Sequence, residues 1–298
     1  MKTDIHLRFA YFVDGSNLSG VLREMQLNVD DYETFFTYLH GKTTKYLEDI
    51  RRVKLAAVMQ RVYWYAVGTM DDWDLASPKA QDAIRRWFEN TDEVVKPALE
   101  RAGKSIGQSA KQMTNRERKE AIQLEAWSDH LANVKAWYER KSESLLKSLT
   151  FHHAVQANTD GIDIIAAGHW KLNMVTLGVE EKGLDTRLAV DMVALENNYD
   201  IAVVLSGDAD MIPSIDLMKK RGKMVAAFEF FKGLPPEDKG RGFSSKLKLS
   251  ADFVVPIYEG GLLTEKIAKH RTPDSAPSRG TESRLSSEVD ESFGDGVK

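Results

Sequence analysis

Residues 201–205, Ile-Ala-Val-Val-Leu, form an unbroken apolar run that stops at Ser206-Gly207-Asp208-Ala209-Asp210. So short a run, closed by a turn-rich segment, suits a strand buried on both faces. Before it, Leu184, Leu188, Met192 and Leu195 make one apolar stripe at helical spacing. After it come a helical stretch from about Ala209 to Lys220 and a strand-like run from Met224 to Phe228. This order predicts βαβ units and a parallel sheet with right-handed crossovers. The stretch 183–210 also gathers Asp185, Asp191, Asp208 and Asp210. A strand ending there aims carboxylates at the mouth of a sheet, where open α/β folds hold their ligands.

Earlier in the chain, residues 8–14 (RFAYFVD) end at Asp14-Gly15-Ser16-Asn17, which predicts a first buried strand with Asp14 at its carboxyl end. Helical spacing then runs to about Leu39, broken near residues 28–31, with Asp30 and Glu33 marking a helix start. The second half of Val53 to Val67 alternates as a strand, and its first half is open to helix. From residue 71 to about 150 the chain turns polar and charged, with Trp127, Leu131, Val134, Tyr138, Leu145 and Leu149 near helical or heptad spacing. This predicts a helical hairpin inserted between two core strands. Residues 151–179 read as irregular strands, and 253–257 as a last strand. The expected organisation is a core in two halves, 4–70 and 151–260, around an insertion at 71–150. The tail, 264–298, is too polar to offset its ordering entropy and is expected to be disordered.

Composition narrows the chemistry. The 298 residues are 42% hydrophobic and include no cysteine, which excludes thiol catalysis, disulfides and cysteine-ligated zinc. The sequence holds no apolar run of membrane-spanning length and does not open on a signal-peptide pattern, so a soluble, cytoplasmic protein with no membrane partner is expected. A net charge of −4 gives no global attraction to nucleic acid, but Lys96 to Thr150 holds 11 Lys and Arg against 7 Asp and Glu. Lys111, Arg116, Arg118 and Lys119 are the densest positive cluster, a phosphate track in prospect.

Three separate segments thus present acids at the carboxyl side of one sheet: Asp14, Asp185, and the pair Asp208 and Asp210. Clustered carboxylates repel and raise one another's pKa unless a cation or protons neutralise them. Hard oxygen donors suit Mg²⁺ or Mn²⁺. Asn17 follows Asp14 by three residues, where its amide can orient that carboxylate. Such a site suits phosphodiester hydrolysis.

The segments Phe12-Val13-Asp14-Gly15-Ser16-Asn17-Leu18, Glu181-Lys182-Gly183-Leu184-Asp185 with Asp191, and Ser206-Gly207-Asp208-Ala209-Asp210 resemble the three signature blocks of the NYN domain. This is a branch of the PIN-like nucleases also described through LabA-like proteins. The resemblance spans about residues 8–70 and 151–258. It implies an α/β, Rossmann-like PIN/NYN fold with a central parallel sheet, here with the helical hairpin inserted. It also implies a Mg²⁺- or Mn²⁺-dependent ribonuclease in which Asp14, Asp185, Asp208 and Asp210 bind metal and Asn17 supports them. The partner is then RNA, single-stranded or structured, with tRNA among the candidates. The insertion is longer than a minimal member needs.

Blander readings compete at several positions. Asp208 is also placed to cap a helix. Asp191 lies six residues after Asp185, about 240° round an ideal helix, so a structural role with a basic neighbour competes with metal binding. Lys182 and Arg187 are phosphate contacts or plain surface charges. Gly41-Lys42-Thr43-Thr44 lacks the upstream glycine and strand of a phosphate loop. His152, His153 and His169 lack zinc spacing. The heptad-like stripe suits either a homo-oligomer or a hairpin packed on its own domain. Two alternatives to a ribonuclease stay open: a quiescent RNA-binding or scaffold module, and a nuclease acting on DNA.

Overall fold

In the computed structural model, which describes residues 5–107, 113–235, 240–241 and 245–271, the chain opens with strand β1 (Ile5–Asp14). Phe9 to Val13 are wholly buried, as a strand covered on both faces must be. Helix α1 (Gly15–Glu24) follows at once, with Asp14 as its N-cap. Next come β2 (Leu27–Asn28), α2 (Tyr32–Arg51) and β3 (Leu55–Met70). Asp31 caps α2, one residue past the expected start. The α2 helix runs unbroken through residues 41–44, so no phosphate loop forms there. All of β3 is strand, including the half that the sequence left open to helix.

The insertion is helical as expected. Helices α4 (Asp92–Ile106) and α5 (Asn115–Asn158) make the hairpin, with Ala98 and Ala102 packed against Ala126 and Ile122. A further helix, α3 (Pro78–Glu89), leads into it. Thr114 and Glu117 form a reciprocal capping box that starts α5. At 44 residues, α5 is about 66 Å long. Residues 151–158, expected as irregular strand, are its last two turns. His152 and Val155, three apart, both face the core, and that burial overrides the weak helix preference of Phe, His and Val. Lys111 lies outside the described residues.

The second half of the core runs through β4 (Ile162–Asn173), β5 (Gly178–Lys182), α6 (Leu184–Ala194), β6 (Ile201–Leu205), α7 (Ile212–Lys220) and β7 (Met224–Phe231). It closes with β8 (Gly240–Arg241), α8 (Ser245–Ser250), β9 (Phe253–Tyr258), α9 (Glu259–Thr264) and β10 (Lys269–His270). The main sheet has the order β5-β4-β3-β1-β6-β7-β8, with β9 also paired to β7. Its pairs are parallel except β4 with β5 and β7 with β8. One face packs under α1, α2 and the end of α5 (Leu18, Phe36, Val155), the other under α6 and α7 (Leu188, Met192, Ile215). The tail starts later than expected. Lys269 and His270 pair with Asn28 and Leu27, and the Arg271 side chain donates to the Leu27 carbonyl at 2.9 Å. Residues 272–298 lie outside the described residues.

The heptad-like stripe of α5 is used within the chain. Val134 and Trp137 are buried with Ile84, Leu172 and Met174, and Tyr138 packs at the edge of that cluster. Trp137 is therefore a packing residue.

Candidate functional site

Strand β1 has β3 on one side and β6 on the other, and the sheet grows away from it in both directions. The crevice at the carboxyl ends of β1 and β6 is therefore the topological switch point, the usual ligand position of an open α/β sheet. Asp14 ends β1 there, and Asp208 stands three residues beyond the end of β6.

Asp14 is 3% exposed. Its Oδ1 accepts the Asn17 backbone N–H at 2.9 Å, and its Oδ2 accepts the Asn17 side-chain amide. Burial raises its pKa, the Asn17 and Ser16 bonds oppose the rise, and the charge of Asp208 adds to it. Gly15 is required by close approach. A Cβ there would lie 2.5 Å from Trp64 Nε1 and 2.6 Å from the Tyr65 carbonyl oxygen. The indole of Trp64 is in turn wedged against His152 of α5, ring centres 5.6 Å apart.

Asp185 sits in the first turn of α6, reached from β5 through Gly183, whose φ of 82° calls for glycine. Its pKa is pushed up to about 6 by burial first, then by the charges of Asp14, Asp208, Glu181 and Asp210. Asp208 caps the short turn Ala209–Met211, with its Oδ1 accepting the Asp210 N–H at 2.9 Å. Capping and membership of the acidic cluster are compatible, as they are for Asp14.

The structure adds one acid and sets one apart. Glu181 Oε2 accepts the Ser16 hydroxyl at 2.7 Å, and its pKa is raised by desolvation and by Asp14. It stands inside the second sequence block, but only the fold places it beside Ser16 of α1. Asp191 points away from this group. It is buried, and its Oδ2 accepts the Arg187 Nε–H at 2.8 Å and the Tyr65 hydroxyl at 3.2 Å. Arg187 is thereby occupied, and Lys182 pairs with Glu180.

Five carboxylates thus share one neighbourhood. An all-oxygen, acidic set fits a hard divalent cation. Among the described residues, no three acidic or imidazole side chains converge as one ligand group. Mg²⁺ tolerates such openness, because it keeps several waters and binds through one or two carboxylates.

Residues 131–255 match the family model of the NYN domain. The match starts inside α5 and ends in β9, so it includes Glu181, Asp185, Asp208 and Asp210. Asp14 and Asn17 lie outside it, and the fold brings them to the same crevice. No curated protein matches the chain. Among solved structures, a protein of unknown function from Vibrio parahaemolyticus is similar at 15% identity. That match covers 87% of this chain and 98% of the other, at a TM-score of 0.41.

Proposed function

We propose that this chain, whose residues 131–255 match the NYN domain, is a metal-dependent endoribonuclease of the PIN-like type. The observation that carries the reading is the meeting of Asp14 with Asp185 and Asp208 across more than 170 residues of sequence, close enough that the charge of Asp208 raises the Asp14 pKa and the charges of Asp14 and Asp208 raise that of Asp185. A group of buried or half-buried carboxylates is costly without a counter-charge. Asp14, Asp185, Asp208 and Asp210 would hold Mg²⁺ or Mn²⁺, with Glu181 beside them. An ion held there would supply positive charge against the phosphodiester and would lower the pKa of a water bound to it.

The chain's own residues set the geometry. Asn17 fixes both oxygens of Asp14, Ser16 turns Glu181 toward it, and the Asp208 cap holds Asp210 in the same turn. Hydrolysis at such a site leaves a 5′-phosphate on one product. Arg118 and Lys119, which line a groove between α4 and α5 with Leu99 and Ile122, are the contribution of the insertion to RNA choice. Neither forms a salt bridge among the described residues.

Cleavage of labelled RNA in Mn²⁺ and in excess EDTA tests the reading. Activity is expected only with the ion and is expected to fall by at least about 100-fold in Asp14→Asn and in Asp208→Asn. Equal cleavage in EDTA, or full activity in both variants, overturns it. RNA binding that survives both substitutions without any cleavage would support the quiescent-module alternative.

A further inference from the structure

Strands β3 and β4 run on past the end of β1. Asp14 pairs with Tyr65, but β3 continues to Met70 and β4 to Asn173. On this extension Thr69 stands opposite His169, and His169 stands opposite Lys182 of β5, three residues before Asp185. Through Lys182 the row adjoins Glu181, the preceding residue of β5 and a member of the acidic group. Thr69 is about 13 Å beyond Asp14 along the strand direction.

Within this row the hydrogen-bond roles are fixed. The Asp71 Oδ1 lies 2.8 Å from His169 Nε2, and the Leu172 N–H donates to Asp71 Oδ2 at 2.8 Å. Burial alone would raise the Asp71 carboxyl, but these bonds outweigh it and hold it below its ordinary value. A carboxylate only accepts, so an imidazole that carries one proton holds it on Nε2. Nδ1 is then an acceptor, and its partner at 2.9 Å is the Thr69 hydroxyl, which must donate. The Asp71 N–H also donates to the Trp170 carbonyl at 3.0 Å, anchoring the carboxylate's own backbone. Thr69 is an exposed residue, and its hydroxyl oxygen therefore keeps lone pairs and has no further proton to give.

We infer that Thr69 reads the ribose 2′-hydroxyl of a nucleotide bound alongside the acidic crevice, with Asp71 and His169 as positioning residues that keep its oxygen an acceptor. An acceptor-only hydroxyl complements a group that donates. The 2′-hydroxyl is the donor that distinguishes RNA from DNA. A site built to bond a hydroxyl discriminates against the analogue that lacks it. Thr69 thus supplies the sugar discrimination that the acids, which address only phosphate and metal, cannot. The inference rests on the nuclease reading for its substrate, but not on catalysis.

The test is a binding and cleavage scan at pH 8 with RNA oligonucleotides carrying one 2′-deoxy sugar at each position in turn, binding being measured in EDTA. For the wild type, one position near the cleaved bond is expected to lose about 10-fold in affinity. Thr69→Val, isosteric and at home in a strand, should show that loss on all-ribose RNA and become indifferent to the deoxy sugar. Thr69→Ser should restore discrimination. Asp71→Asn, with Thr69 intact, should behave like Thr69→Val, because an amide facing Nε2 permits the opposite tautomer. Thr69→Val discriminating at every position as well as the wild type overturns the inference, even if cleavage proceeds normally. Sugar-sensitive binding with no cleavage in Mn²⁺ supports it while overturning the nuclease reading. Absence of RNA binding by the wild type overturns both.

Discussion

Asn17 donates to both carboxylate oxygens of Asp14, from its backbone N–H at 2.9 Å and from its side-chain amide. These bonds oppose the burial that raises the Asp14 pKa. In Asn17→Ala the backbone bond survives and the amide bond is lost, so the Asp14 pKa should climb further. Mn²⁺ affinity is expected to fall on the order of 5-fold at pH 6 and less at pH 8, the direction that a further rise of the Asp14 pKa requires. Mn²⁺ titration followed by electron paramagnetic resonance at the two pH values checks this. An equal loss at both would mean that Asn17 acts through something other than the charge of Asp14.

Asp185 gives the metal-free protein a pH signature. Its pKa is about 6 in the folded chain against an ordinary 3.8. The folded state therefore keeps this proton to higher pH than the unfolded state, and stability falls as pH rises from about 4 to about 6, then levels. Asp185→Asn should raise the melting temperature in EDTA by roughly 2–4 °C at pH 8 and leave it unchanged at pH 4. Saturating Mn²⁺ should stabilise the wild type more than the variant. A wild-type melting temperature that rises between pH 4 and 6, with no such fall exposed against Asp185→Asn, contradicts the crowding of acids.

Asp191 should separate structure from chemistry. Its removal leaves the Tyr65 hydroxyl and Arg187 without their shared acceptor. Asp191→Ala is expected to cost about 1–3 kcal/mol in a denaturant titration while leaving Mn²⁺ affinity within about twofold. A loss of Mn²⁺ affinity as large as that of Asp208→Asn would bring Asp191 into the metal site.

Gly15 should tolerate nothing larger. Its would-be Cβ meets the Tyr65 backbone at 2.6 Å, an atom that cannot rotate away. Gly15→Ala must therefore shift α1, at about 1–3 kcal/mol, and carry Ser16 and Asn17 out of register with Asp14. Chemical denaturation together with Mn²⁺ titration should show both losses. Full stability would place α1 farther from β3 than the structure does.

The acids were legible because each ends a recognisable apolar run: β1 before Asp14, β6 before Asp208, and the glycine turn before Asp185. Residues 151–158 were not, because a helix holding Phe151, His152 and Val155 owes its form to Trp64, a partner nearly 90 positions earlier. Glu181 was passed over for a similar reason. Its meaning comes from Ser16 across the sheet, and local spacing carries no trace of it. The same holds for His169, which fails any metal-spacing pattern and whose hydrogen bonds go to Thr69 on the neighbouring strand and to Asp71 just past its end. Strand ends are local facts, whereas helix persistence and cross-strand bonding are settled by packing.

One consequence of α5 concerns leverage. This rod is pinned where His152 meets Trp64, beneath Gly15, and again where Val134 and Trp137 pack on Leu172, and Arg118 stands 16 residues beyond Val134, about 24 Å along the axis. A few degrees of tilt beyond the second pin moves the far end by about 1–2 Å and the crevice end hardly at all. The insertion is thus geared down toward the crevice: movement at its tip leaves the carboxylates in register.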